Sequence, residues 1–565
     1  MRSLGSTLNG ATLFPGGRKF FRSTPNCTWA AIVVGRPEVS QTADSSAHCH
    51  APEPMTFTPA ETSQPTITAP CGTVRGLSDG EVESYLGIPY AQPMTEAAAF
   101  QAPRALETLP GGQFEATSFG PPCPQFMPAG EIGLEQHREG DDWLSLNVWT
   151  PAERTQGQAL PVMVWIHGGA YVLGSSAEPQ YNGSVFARER CVFVSINYRL
   201  GLEGFLQLDG APANRGLLDQ IAALAWVRDN IAAFGGDPQR VTVFGESAGA
   251  GAIHCLLTMP RAQGLFQRAI LQSPPSMILE AELAAQVTEA AVEAARQIRP
   301  EAQATPEFFG SLSRTERRAV LEELTATAKR SLSSWGAASA FEPPLTPVVD
   351  GTVLPRGPWK ALRSTPPDIP VLVGSNAEEF NLFIALARSQ PNDAVAQRTL
   401  ATIGPRTQPE AAQYGRLVTA PEGTARPPVV YERVNTDFMF TVPALDIAQA
   451  IPGAWAYLLE ADPRGGIQSA HTVDLPLLFE NYTDGMGALT FPQGPTERER
   501  RTGRRMRDAW LRFARTGRAD WPEFSHDGAT RVFDAHTDEE RVGPHPLLER
   551  WKCFVRQPAA PHGLI

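Results

Sequence analysis

A serine stands between two glycines in Gly245-Glu246-Ser247-Ala248-Gly249. The run Val241-Thr242-Val243-Phe244 before it is β-branched and aromatic and reads as a buried strand; Ala250, Ile253, Leu256 and Leu257 after it are small or apolar at helical spacing. Strand, tight turn and helix are the setting of a nucleophile elbow, where the serine projects from a strained turn and bulk two residues away on either side would crowd it. Such five-residue patterns also arise by chance. Gly76-Leu77-Ser78-Asp79-Gly80 is a second one, but its flanks make it a hairpin turn with a Ser-Asp-Gly tip. Ser247 is therefore the expected nucleophile.

A serine hydroxyl needs a base, and the base needs an acid to orient it. On a sheet that carries such an elbow, acid and base follow the serine in the chain, on loops beyond buried strands. Glu378 and Glu379 both qualify, following the apolar run Pro370–Gly374. Of the later histidines, His526, His536 and His545 lie in polar segments with no buried strand read before them, and His562 is almost at the chain end. His471 follows the strand-like Trp455–Leu459 and precedes an apolar helix start, which makes it the expected base. Upstream, Pro161–Ile166 is apolar throughout and ends in His167-Gly168-Gly169-Ala170. Two glycines just past a buried strand let backbone N–H groups face a cleft, as an oxyanion hole requires.

The elements that must hold these residues alternate strand and helix. Val192–Ile196 reads as a strand. Leu217–Phe234 reads as an amphipathic helix stopped by Gly235-Gly236, with a turn at Asp237-Pro238 before the elbow strand. Asp141–Trp149 alternates like a half-buried strand, Glu280–Gln297 and Arg314–Arg330 read as surface helices, and Met506–Thr516 as the last clear helix. The repeated strand–helix–strand pattern predicts an α/β sheet.

Composition bounds the rest. The chain has 565 residues, 42% hydrophobic and 19% charged, which is ample for a large core. A net charge of −12 argues against a nucleic-acid partner, and the mixed run Glu497–Arg501 reads as a solvated face ahead of a helix. Seven scattered cysteines without C-x-x-C spacing argue against a disulfide framework or a zinc site and for a reducing, cytoplasmic setting, with a secreted form left open. His48-Cys49-His50 lies in a Ser/Thr/Pro-rich tail and is not taken as a metal site. No apolar run approaches the roughly 18–20 residues of a membrane span. Residues 1–64 lack apolar periodicity and read as a disordered extension, dispensable or lying upstream of a true start at Met55; 65–565 read as one catalytic domain.

Beyond the elbow, the segments Gly87-Ile88-Pro89-Tyr90-Ala91, Leu146-Asn147-Val148-Trp149, His167-Gly168-Gly169-Ala170, Asn197-Tyr198-Arg199-Leu200-Gly201, Asn214–Gln220, Phe234–Pro238 and Ala269–Ser273 resemble the type-B carboxylesterase/lipase family, which includes bacterial para-nitrobenzyl esterases and cholinesterases. The resemblance covers most of residues 70–555. It implies an α/β-hydrolase fold, with a large, mostly parallel central sheet covered by helices on both faces. It also implies a serine carboxylesterase acting on small or medium-sized carboxylic esters through an acyl-enzyme, with no cofactor and no metal. By it Ser247 is the nucleophile, Glu379 (second in its acidic pair) the acid and His471 the base. Gly168, Gly169 and Ala248 supply the oxyanion-hole N–H groups, and Ser273 stands beside the acid and base. Glu246 comes with the motif but has no chemical role assigned. A monomer or weak homo-oligomer is expected.

Three departures stand out. Trp143 occupies the position of a family cysteine, so the disulfide implied to Cys123 cannot form. Pro274 and Phe380 stand where the family usually has glycine, and Phe380 threatens to displace the Glu379 loop. Two rival readings remain: a catalytically silent binding or adhesion protein, which typically loses a triad member, and an acyltransferase with the same triad. Choline esters are disfavoured, because Pro124–Asp142 contains Phe126 alone as an aromatic where cholinesterases present a tryptophan.

Overall fold

The computed structural model describes residues 64–555 except 126–139, 155–158, 336–337, 339–342, 388–389, 420–426, 462–465, 526 and 538–539. The extension before residue 64, Phe126, His526 and His562 lie outside the described residues.

Among the described residues eleven strands form the large sheet: β1 (Leu77–Ser78), β2 (Val82–Pro89), β3 (Ser145–Pro151), β4 (Leu160–Ile166), β5 (Val192–Ile196), β6 (Gly236–Glu246), β7 (Arg268–Gln272), β8 (Val371–Asn376), β9 (Trp455–Glu460), β10 (Ala529–Asp534) and β11 (Arg541–Pro544). Their order is β11-β10-β9-β8-β7-β6-β4-β5-β3-β2-β1. The central strands from β10 to β5 run parallel, and antiparallel pairs close both edges. The middle of the parallel sheet is mostly apolar because both faces are covered, and alternate residues serve separate cores. Val162, Val164, Val243 and Leu271 belong to one core; Met163, Trp165, Phe244 and Ile270 belong to the other.

Helices supply the cover. α1 (Arg215–Asn230) and the elbow helix α2 (Ala248–Leu256) pack into the first core. So do α3 (Pro427–Thr436) and, beyond a widened turn, α4 (Val442–Ala450). The short α5 (Asp474–Phe479) and the long α6 (Glu497–Thr516) fill the second with Leu477, Phe479, Met506, Trp510 and Phe513. α7 (Leu548–Val555) returns to the first with Trp551 and Cys553. Two family-like segments meet in a fully buried ion pair, Arg199 Nη2 to Asp219 Oδ1 at 2.6 Å, and Arg199 Nη1 also donates to Ala99 O. Among the described residues no helix is long and apolar enough to cross a membrane.

Several expectations change. Gly236-Asp237-Pro238 belongs to β6 rather than to a turn. The pairing with β4 jumps from Leu160–Gly236 to Val162–Val241, so the extra residues form a bulge that tolerates the proline. The strand read from Asp141 begins at Ser145. The run Glu497–Arg501 does not precede a helix but opens α6. Thr496 and Glu499 form a capping box, and Thr502, Gly503 and Met506 turn the first half inward. His536 does follow a buried strand, β10, and His545 is itself buried, its Nδ1 accepting from Leu547 N. Neither therefore lies in the plain polar segment that the sequence suggests. The short mixed run ATRVFD hid the strand. At the departure from the family pattern, Cys123 is a free, buried thiol and Trp143 is buried with Nε1 donating to Gly140 O.

Candidate active site

Strand β6 ends at Glu246 and α2 begins at Ala248, leaving Ser247 alone at the apex with φ 54° and ψ −125°. The flanking glycines are required by close approach: a Cβ on Gly249 would lie 2.0 Å from Ile166 O, and one on Gly245 2.6 Å from the same oxygen. Ser247 N donates to Gln272 O at the end of β7. The side chain is half-buried, and among the described residues its Oγ has no hydrogen-bond partner.

The loop after β4 presses on this apex. A Cβ on Gly168 would stand 2.8 Å from Glu246 Oε2 and 3.2 Å from Ser247 Cβ. Gly169, Ala170 and Tyr171 all have positive φ. Gly169 O accepts from Val172 and Leu173, and Gly168 O accepts from His167 Nδ1 at 2.8 Å. The N–H groups of Gly168 and Gly169 find no acceptor among the described residues. The N–H of Ala248 opens α2, where no carbonyl lies four residues back in the helix. Burial pushes His167 down to about 4, so its imidazole is neutral.

Glu379 and His471 meet beyond the ends of the neighbouring strands β8 and β9. His471 Nδ1 lies 2.7 Å from Glu379 Oε2. The other carboxylate oxygen, Oε1, accepts from Ser273 Oγ and from Asn376 N, each at 2.6 Å, and His471 N donates to Glu379 O. Glu378 turns away and accepts from Ser469 N. Phe380 does not displace the loop: its N–H donates to Thr436 Oγ1 on α3.

Two further carboxylates join them. Glu246 Oε1 lies 3.1 Å from His471 Nε2, so in this arrangement the nitrogen left for Ser247 faces Glu246. Asp474 accepts from Gln272 Nε2 at 2.5 Å and Asn376 Nδ2 at 3.4 Å, and Trp510 Nε1 holds Gln272 Oε1. Burial alone lowers the proton affinity of His471. Glu246, then Glu379 and Asp474, outweigh it and push the imidazole up to about 9. Burial raises Glu246 to about 8 against the attraction of His471, with Asp474 and Glu379 adding to the rise. Burial, then Glu379, raises Asp474 to about 6. Glu246 and His471 thus compete for a proton, and a neutral Glu246 removes the strongest upward push on the imidazole.

The structure brings Glu379, His471 and Ser273 into one network and sets Gly168 against Ser247. It does not join Ser247 Oγ to His471 by a hydrogen bond. The sequence assigned Glu246 no role, although its carboxylate is aimed at His471, and it missed the buried polar set of Gln272, Asn376 and Asp474. It also missed the ring of Phe440, 4.4 Å from that of His471 between centroids. The acidic residue three places after His471 was the one available signal for Asp474. Strain marks the same places: five of the ten non-glycine residues with positive φ among the described residues are Ala170, Tyr171, Ser247, Ser273 and Thr472. A projecting hydroxyl, a carboxylate-held imidazole and unpaired N–H groups are the parts of acyl transfer through a serine.

Comparison with known proteins agrees with this chemistry. The model of the carboxylesterase family matches residues 63–542. The chain is 33% identical over 484 residues to the para-nitrobenzyl esterase of Bacillus subtilis (strain 168), covering 82% of this chain and 93% of that protein. It is 32% identical to the fumonisin B1 esterase of Sphingopyxis macrogoltabida, covering 86% and 90%. A solved structure of a PNB esterase superposes with a TM-score of 0.75 at 31% identity, covering 88% of this chain and all of the other, 100%. A Geobacillus stearothermophilus carboxylesterase gives 0.73 at 32% identity, covering 86% and 99%. With the α/β-hydrolase sheet, the serine at its elbow and likeness along so much of its length, the chain belongs to the carboxylesterase family.

Proposed function

We propose that this serine carboxylesterase works through Ser247, His471 and Glu379 on carboxylic esters of small or medium size. His471 Nε2 takes the hydroxyl proton as Ser247 Oγ bonds to the ester carbonyl carbon. The carbonyl oxygen becomes an oxyanion held by the N–H groups of Gly168, Gly169 and Ala248. As the C–O bond to the alcohol breaks, His471 returns the proton to the leaving oxygen. Water then attacks the acyl-Ser247 carbonyl by the same route, releasing the acid. Glu379 keeps the ring's Nδ1 protonated and steadies the imidazolium, with Ser273 holding its second oxygen. No step calls on a cofactor or metal.

The observation that carries this reading is the buried 2.7 Å contact from His471 Nδ1 to Glu379 Oε2, which leaves Nε2 as the ring's working nitrogen. The test is Ser247→Ala assayed on a p-nitrophenyl ester. Turnover is expected to fall on the order of 10⁴–10⁶-fold, with the fold intact by circular dichroism. Near-normal turnover in that variant rejects the assignment.

We further infer a monomer or weakly associating homo-oligomer. Large apolar side chains exposed among the described residues are scattered, at Val395, Leu489 and Val542. A cytoplasmic location is supported by five free, buried cysteines, Cys71, Cys123, Cys191, Cys255 and Cys553.

A further inference from the structure

Pro443 stands at the start of α4 and has no N–H. The carbonyls four and five residues before it, Met439 O and Phe438 O, therefore lack a donor from that position. Ser276 takes both: its N–H donates to Met439 O and its hydroxyl to Phe438 O, each at 3.2 Å. Over Asp437–Thr441 the helix widens to a π-turn, with Val442 N–H reaching Asp437 O five residues back. The near end is pinned. Buried Asp437 sets Oδ1 3.0 Å from Arg550 Nη2 on α7 and accepts from Tyr414 Oη at 2.7 Å through Oδ2. One residue earlier, Thr436 Oγ1 accepts from Phe380 N beside Glu379. The widened turn presents Phe440, 1% exposed, to the catalytic histidine. The two ring centroids lie 4.4 Å apart at 30°, and Phe383 stands behind at 5.4 Å and 32°.

We propose that the π-turn Asp437–Thr441 is a positioning device for His471, with Phe440 as its contact and Ser276, Pro443 and the Arg550–Asp437 pair as its frame. The proposal rests on the assignment of His471 as base. Once Nε2 leaves Glu246 to work on Ser247, the remaining hydrogen bond at Nδ1 leaves the imidazole free to swing about it, and a ring packed against its face removes the freedom. The aromatic face also favours the imidazolium that forms when Ser247 gives up its proton. The charged groups facing His471 are Glu246 from β6, Glu379 from the loop after β8 and Asp474 on its own segment. Phe440 carries no charge, so replacing it leaves that set unchanged. Pi-turns inside α-helices are frequent at functional sites, because the extra residue re-aims a side chain that a regular helix would point elsewhere.

The test uses Phe440→Leu, Phe440→Tyr and Pro443→Ala in the full chain, assayed on a p-nitrophenyl ester. Phe440→Leu is expected to lower kcat about tenfold while KM changes less than about twofold. The acid limb of its kcat/KM profile should move about half a pH unit lower, as the imidazolium loses the aromatic face. Phe440→Tyr, which keeps the ring, should restore both. Pro443→Ala offers the carbonyls now held by Ser276 a donor from within the helix and lets the turn relax, so its melting temperature should be at or above the parent's while kcat falls. If Ser247→Ala is inactive yet Phe440→Leu keeps the parent's kcat and pH limb, the π-turn has no such role. A Phe440→Leu loss that Phe440→Tyr fails to restore, or one matched by a fall in melting temperature with an unmoved limb, overturns it as well. If Ser247→Ala stays active, the underlying assignment of the site fails instead.

Discussion

Ser273 and Glu379 are joined through the carboxylate oxygen that His471 does not use: Ser273 Oγ donates to Oε1 at 2.6 Å while His471 Nδ1 meets Oε2. The hydroxyl thus fixes the rotation of the carboxylate that meets His471. Ser273→Ala leaves the Glu379–His471 contact possible but less rigid, so kcat should fall about tenfold with KM nearly unchanged. Steady-state kinetics decide it; a raised KM with unaltered kcat would place Ser273 in substrate binding instead.

The two neighbouring glutamates should behave very differently. Glu379 Oε2 meets His471 Nδ1, whereas Glu378 points away from the imidazole and accepts from Ser469 N. Glu379→Gln should cut kcat by about 10³-fold or more, and Glu378→Gln by no more than a few-fold. Equal mild losses would remove both from the mechanism.

Glu246 gives the strongest upward push on the proton affinity of His471, from 3.1 Å. Glu246→Gln removes that charge and should lower the pKa of His471. The imidazole is then free of its proton at lower pH, and the acid limb of kcat/KM should move down. A limb that stays put would mean that Glu246 is already neutral wherever His471 titrates, and one that moves up would contradict Glu246 as the source of the push.

His254 offers a test of stability apart from catalysis. It is fully buried on α2, edge-on to Trp359 at 4.1 Å between centroids, and neither ring nitrogen has a partner among the described residues. Burial pushes it down to about 3. As pH falls below about 6.5 the unfolded chain binds a proton that the folded protein refuses, so this group's share of stability is present above that pH and lost on the way down. The stability of His254→Leu relative to the parent should therefore rise by about 1.4 kcal/mol for each pH unit well below 6.5. Urea unfolding at pH 7, 6 and 5 measures it; a constant difference would contradict the buried neutral imidazole.

What was legible in the chain was what local pattern encodes. The elbow announces itself because Gly245, Ser247 and Gly249 must sit within a few residues of a strand end, and the buried strands around it are apolar whichever partner they take. Glu379 and His471 were reachable because each follows such a strand. Glu246 and Asp474 escaped because their roles arise only where separate segments converge, and no periodicity reports that. Pro443 was opaque for another reason: a proline in a helical stretch reads as a break, whereas here Ser276 supplies the donors that keep the helix continuous. The first half of α6 was missed because its arginines looked like solvated surface, while the capping box at Thr496 and Glu499 was the better signal.

The network beneath His471 also dictates when the site can come into being. Gln272 and Asp474 are 202 residues apart in the chain, and Glu379 and His471 are 92 apart. None of these contacts exists until β7, β8 and β9 lie side by side, and loop closures of that length come late and slowly. Turnover is therefore a reporter of the last stage of folding: after dilution from denaturant, helical signal should return well before hydrolysis does.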